Sequence, residues 1–214
     1  MTSFSAIVAR DLQLAFRSGG GALQAVTFFA LTIVLFALAI GPDLPLISKI
    51  AAPVLWTGAL LSTQISLDRI YRADREDGSL DVLIETSDIL FLTALAKALA
   101  HWISTTLPLL VATPVLGILL NLESALTSPL LLSLLIGTPG LSLIGSFARA
   151  HVLISIIVSP LYVPILIFGA GAAIAGGEGD PQFGANMMLL AASTLFAAII
   201  SPLASAFALR SNMD

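Results

Sequence analysis

Cysteine is absent from all 214 residues, which removes disulfides, thiolate metal sites, a thiol nucleophile and any Cys-x-x-Cys-His haem attachment. Charge is nearly as scarce: Asp, Glu, Lys and Arg make up 10% of the chain, against roughly a quarter in soluble domains. So few ionic groups cannot coat a water-facing surface. With 57% hydrophobic residues and a mean hydropathy of +1.02, the matching solvent is lipid. The chain is therefore expected to be an integral membrane protein. A net charge of -4 and the lack of a basic patch argue against nucleic-acid binding. The two lysines, Lys49 and Lys97, follow Ser48 and Ala96, so no Walker A Gly-Lys step exists. Any ATP-driven work has to be powered from another chain.

Long apolar runs are what the chain has instead. About 20 apolar residues, each rising about 1.5 Å, cross a hydrocarbon layer of roughly 30 Å. Six stretches qualify, at about 22–40, 50–67, 89–120, 129–147, 152–175 and 186–209. Gly41 and Pro42 close the first; the third is too long for one straight span and is interrupted by Lys97, His101, Pro108 and Pro114. Over 2–17, Phe4, Ile7, Val8, Leu12, Ala15 and Phe16 recur at helical spacing, with Arg10, Asp11, Gln13 and Arg17 mostly on the other face. That pattern predicts an amphipathic helix lying in the membrane interface. Arg10 and Arg17 before a run ending in Ala37, Leu38 and Ala39 imitate a secretory signal. The run is longer than a usual h-region, however, and follows a helix rather than a short basic start, so it reads as an uncleaved span. The expected fold class is all-α integral membrane, a single polytopic domain over 1–214.

Six spans put both termini on one side. Arg10, Arg17, Arg69, Arg72, Arg75, Arg149 and Arg210 fall there, with Lys97 close by, and only Lys49 falls opposite. The positive-inside rule makes the arginine side cytosolic and leaves Asp43, Glu123, Glu178 and Asp180 in the outer loops.

Between the second and third stretches lies 68–88, DRIYRADREDGSLDVLIETSD, with seven acidic and three basic residues. Its first half reads as a cytosolic continuation of the second span, solvated by charges of both signs. Gly78 suits the left-handed turn that stops a helix, and Ser79 is a good N-cap, with Asp81 in the following first turn. Leu80, Leu83 and Ile84 then make one apolar face of a short helix, with Asp81 and Glu85 turned away. Such a ridge fits a groove in a partner protein; a solvated chain reversal is the alternative.

The segment from Arg75 to Leu83, followed by Lys97, resembles the cytosolic motif of ABC-2-type permeases. More closely, the chain resembles the CcmB family. The carrying runs are LDRIYR at 67–72, DGSL at 77–80, LAKALAHW at 95–102, GTP at 137–139 and PLYVPILIFG at 160–169. The resemblance covers essentially the whole chain. It implies the membrane subunit of a haem exporter in cytochrome c maturation, in the bacterial inner membrane. It also implies a CcmA-like ATPase that binds the ATP, CcmC-like and CcmD-like membrane subunits and a CcmE-like haem chaperone. On that reading Glu76, Asp77, Gly78, Ser79, Leu80, Leu83, Ile84 and Glu85 couple to the ATPase. The chain looks several residues shorter than the family pattern between Gly145 and Val152, which suggests a tight turn at 148–151. A proline common after the Gly-Ser-Leu helix is replaced here by Glu85-Thr-Ser-Asp88.

Polar groups near the third span ask for an explanation. Lys97 reads as snorkelling to the cytosolic surface, and Trp102 as part of the interfacial aromatic belt. His101 shares the Lys97 face, four residues on. It is a candidate axial ligand for haem; contact with a neighbouring helix or subunit is the alternative. His151 beside Arg149 reads as solvated. Pro108, Pro114, Pro160 and Pro164 are expected to kink their helices. Gly137, Gly140 and Gly145 permit close helix approach, expected at a homodimer interface. No carboxylate cluster inside the apolar runs supports an intramembrane enzyme. A scaffold that moves no substrate, and whose ATP-driven motion frees haem-loaded chaperone from a neighbouring subunit, is the remaining rival.

Overall fold

The computed structural model describes residues 4–18, 20–67, 90–150 and 159–210, together with Ile70, Asp74 and Gly78. The described residues form helices and no strand. The amphipathic segment forms α1 (Phe4–Ser18), followed by α2 (Gly20–Ile40) and α3 (Leu44–Ser66). The long third stretch is two helices, α4 (Leu90–His101) and α5 (Leu107–Leu119), joined by a π-helical turn, Trp102–Thr106. Then come α6 (Ser124–Ala150), a 3-10 turn at Ser159–Leu161, α7 (Tyr162–Glu178) and α8 (Gln182–Arg210). Five of the described helical stretches are long and apolar enough to cross a membrane; α7 is a shorter apolar helix. Residues 151–158, where the fifth apolar run begins, lie outside the described residues.

Helix starts differ from the apolar runs for a local reason. The α3 helix begins at Leu44, six residues ahead of the run, because Asp43 caps it: its Oδ1 accepts from the Leu46 N–H at 3.1 Å. Pro45 in the first turn lacks only a donor that the helix would leave unpaired there. Asp180 accepts likewise from the Gln182 N–H at 2.8 Å, at the head of α8. Hydropathy detects the hydrocarbon-length middle of a helix and misses its capped polar turn. The expected tight turn at 148–151 is overturned in its first part, since the backbone stays helical through Ala150.

Prolines act unequally. Pro164 sits in the first turn of α7, where helix N–H groups have no intrahelical partner, so it leaves that helix regular. Pro108 follows the π turn, in which the Leu107 N–H bonds to the Trp102 carbonyl, five residues back, rather than to the carbonyl four back. A residue that cannot donate to the carbonyl four back lies where the helix register has already loosened.

The centre of the bundle is Trp56, fully buried on α3. Its indole N–H donates to Ser133 Oγ at 3.0 Å, and Ser133 donates on to the Leu130 carbonyl. A Cβ at Gly137 would stand 2.6 Å from this ring, and one at Gly169 only 2.3 Å. α6 and α7 can therefore close on the indole only because both positions lack a side chain. Gly145 receives Leu67 in the same way, and Gly140 faces Ile165 and Thr194. The three glycines expected at a homodimer interface instead pack within the chain. Outward faces carry Leu23, Leu38, Val111, Ile118, Met188 and Ile199, a surface suited to lipid.

Candidate functional site: an ion ring and a histidine node

α1 turns Ile7 and Asp11, one turn apart, towards the protein, and it packs along α4. Asp11 thus lies inward, not on the polar face where its neighbours placed it. Opposite stands Lys97 of α4, with its side chain 1% exposed, so it does not snorkel. Its ammonium donates to Asp11 Oδ2 at 3.0 Å and to Asp74 Oδ2. Arg10 closes the figure, donating to Asp11 Oδ1 at 2.9 Å and to Asp74 Oδ1 at 2.5 Å. Each carboxylate therefore bridges both cations, one oxygen to each.

Among the described residues, two positive and two negative charges make a neutral ring, which is how ionic groups endure so much burial. Asp74 is also buried, so this part of the charged block is not solvated as its composition suggests. Burial alone pulls the Arg10 guanidinium down. The hydrogen bond and charge of Asp11, joined by Asp74, outweigh it and hold the group above its ordinary value. A raised pKa on a base stabilises the fold below its unfolded value, so Arg10 stays charged and engaged across the accessible pH range. Chemically the ring is a fastener between α1, α4 and the segment that holds Asp74.

A second polar site lies one helical turn further along α4. His101 is buried, with Nε2 at 2.8 Å from Ser66 Oγ of α3 and Nδ1 at 3.1 Å from Ser142 Oγ of α6. Both ring nitrogens are thereby engaged, so iron ligation would have to displace a serine. Trp102, half-buried, turns its N–H inward to donate to Thr138 Oγ1 at 3.0 Å. Ser62, Thr63 and Thr113 return their hydroxyls to carbonyls on their own helices.

Of the residues expected to couple to an ATPase, Gly78 is described: it is exposed and left-handed, φ +73°, as its turn demands. Glu76, Asp77, Ser79, Leu80, Leu83, Ile84 and Glu85 lie outside the described residues, as does His151. Nothing local in the sequence marks Asp11 and Asp74 as the ring partners. The available signal was a lysine within an apolar helix, which calls for a buried counter-ion.

These features define a multi-pass α-helical membrane protein whose polar groups are gathered into an ion ring and a histidine node. The family model described as "CcmB protein" matches residues 2–212. "Heme exporter protein B" of Bradyrhizobium diazoefficiens is 45% identical over 222 aligned positions, covering 100% of both chains. The protein of the same name from Paracoccus denitrificans is 45% identical, covering 97% of this chain and 99% of its own. That of Haemophilus influenzae is 42% identical, with 99% of each chain covered. The chain belongs to the CcmB family.

Proposed function

We propose that this chain is the membrane subunit of an ATP-binding cassette haem exporter serving c-type cytochrome biogenesis. It would cross the bacterial inner membrane six times with both termini cytosolic, as a homodimer beside CcmC-like and CcmD-like subunits and a CcmE-like chaperone. ATP binds and is hydrolysed on a separate CcmA-like subunit docked at 68–88; this chain is not itself an enzyme. The name shared by the relatives supports haem as cargo, and the lack of a Walker A loop supports a separate motor.

The observation that carries the coupling is the ion ring. Asp74 belongs to the charged block, and Lys97 and Arg10 hold it to α4 and α1. Pulling the block away would strand the buried charges of the Lys97–Asp74 pair, at about 3–5 kcal/mol. Movement of a docked ATPase would then carry α1 and α4 with it and bias the membrane domain between two arrangements. The test is co-purification with the ATPase, asking which component carries haem before and after ATP. Leu83→Arg is expected to abolish association and coupled ATPase activity; a Leu83→Arg protein that keeps both refutes docking at this segment.

A scaffold that releases haem-loaded chaperone without moving haem itself is supported by one observation, the engagement of both His101 nitrogens by serines. ATP-dependent haem movement by the purified complex in sealed vesicles decides between the two.

A further inference from the structure

The hydrogen bonds around His101 fix more than its position. Ser66 commits its one hydroxyl proton to the Thr63 carbonyl at 2.7 Å. Its oxygen can then only accept from the imidazole, so Nε2 carries the proton. Nδ1 is left with a lone pair and accepts from the Ser142 hydroxyl, whose oxygen in turn lies 3.4 Å from Thr106 Oγ1. The bonds all point one way, from Thr106 through Ser142 and His101 to Ser66. They end on the Thr63 backbone carbonyl, which cannot pass a proton on.

The start of that series, Thr106, and the residue after the histidine, Trp102, are the two ends of the π turn. Thr138 and Ser142, which bond Trp102 and His101, stand one turn apart on α6 and so share a face. The loosened turn is thus docked on α6 by two polar rungs and tied to α3 by a third. Lone π turns interrupt helices at points of bending, and Pro108 weakens the next turn.

We infer that His101 is a positioning residue: neutral and protonated at Nε2, it pins Trp102–Thr106 between α3 and α6, making that turn the hinge between α4 and α5. This inference stands on the chain alone and needs no ATPase.

The test uses the full chain in lipid nanodiscs. One readout is hydrogen exchange of the 102–107 amides. The other is the distance distribution between spin labels at Val111→Cys and Leu132→Cys, which line one open groove between α5 and α6. His101→Ala removes two buried hydrogen bonds and should speed exchange by at least about fivefold, the effect of one of them, and broaden the distribution. His101→Gln should restore both readouts, because its amide sets one donor and one acceptor on a single carbon, as the neutral imidazole does. If His101→Ala does not fold, Ser142→Ala, which removes the donor to Nδ1 and the acceptor for Thr106, must give the same two changes. Unchanged exchange and distances overturn the hinge. A His101→Gln protein as loose as His101→Ala overturns the neutral-pin role in favour of a charged or iron-ligating imidazole.

Discussion

Asp11 of α1 and Lys97 of α4 are 86 positions apart in the chain and 3.0 Å apart in the fold. Each would be poorly placed without the other: an ammonium in an apolar helix, and a carboxylate on the inward face of an amphipathic one. Together with Arg10 and Asp74 they turn four costly groups into one neutral assembly. The first helix is therefore bolted to the bundle by charge as well as by its apolar stripe.

Removing one member should be worse than removing a balanced pair. Lys97→Met leaves two carboxylates facing one guanidinium and is expected to destabilise the chain by about 3–5 kcal/mol. Adding Asp74→Asn to Lys97→Met returns the ring to neutrality and should recover part of that loss. A double-mutant cycle on thermal unfolding in nanodiscs measures it, with Asp11→Asn as the parallel partner. Strictly additive effects of Lys97→Met and Asp74→Asn would show that the two side chains do not interact.

Much of this fold was legible in the sequence because lipid imposes simple rules. Run length locates the apolar helices, and Gly41 ends α2 as expected; the structure adds that the turn is left-handed, at φ +78°. The site was less legible, since its contacts join residues far apart in the chain. Lys97 stands out in its apolar helix, but nothing local distinguishes a lysine that snorkels from one met by Asp11 and Asp74. Trp102 reads as interfacial because aromatic residues favour that layer, and nothing local announces its bond to Thr138, 36 positions on. Gly137 and Gly145 signalled close approach correctly; which surface approaches depended on Trp56 and Leu67, residues with no local mark of that role.

Trp56 gives a steric prediction. Gly169→Ala places a methyl group 2.3 Å from a rigid, fully buried indole. The expected loss is about 1–3 kcal/mol from overpacking. Trp56→Phe removes the ring atoms that clash and should partly rescue Gly169→Ala, although Ser133 then loses its donor. Melting temperature followed by monodispersity checks this. A Gly169→Ala protein as stable as the parent would mean that α7 moves aside freely.

Gly78 offers a conformational prediction free of steric ambiguity. A Cβ there would meet nothing within 4 Å, while the backbone is left-handed at φ +73°. Gly78→Ala therefore acts only through the backbone, at about 1–2 kcal/mol, or about 5- to 30-fold in any equilibrium that needs this turn. Gly78→Asn should be milder, since Asn tolerates that region. Affinity for the candidate ATPase is the quantity to measure. Equal affinities for parent, Gly78→Ala and Gly78→Asn would remove this turn from the docking surface.

The absence of cysteine makes the proposed topology directly testable, because single introduced thiols have no background. Glu123 precedes α6 and Glu178 ends α7, while Gly78 lies in the charged block. With six spans and cytosolic termini, Glu123→Cys and Glu178→Cys should react with an impermeant maleimide added outside spheroplasts. Gly78→Cys should react only after the membrane is opened. The positive-inside rule requires this order, because Arg69, Arg72 and Arg75 flank the Gly78 segment and no lysine or arginine lies near the other two sites. Labelling of Gly78→Cys from outside intact spheroplasts would invert the chain and place the charged block beyond the reach of any cytosolic ATPase.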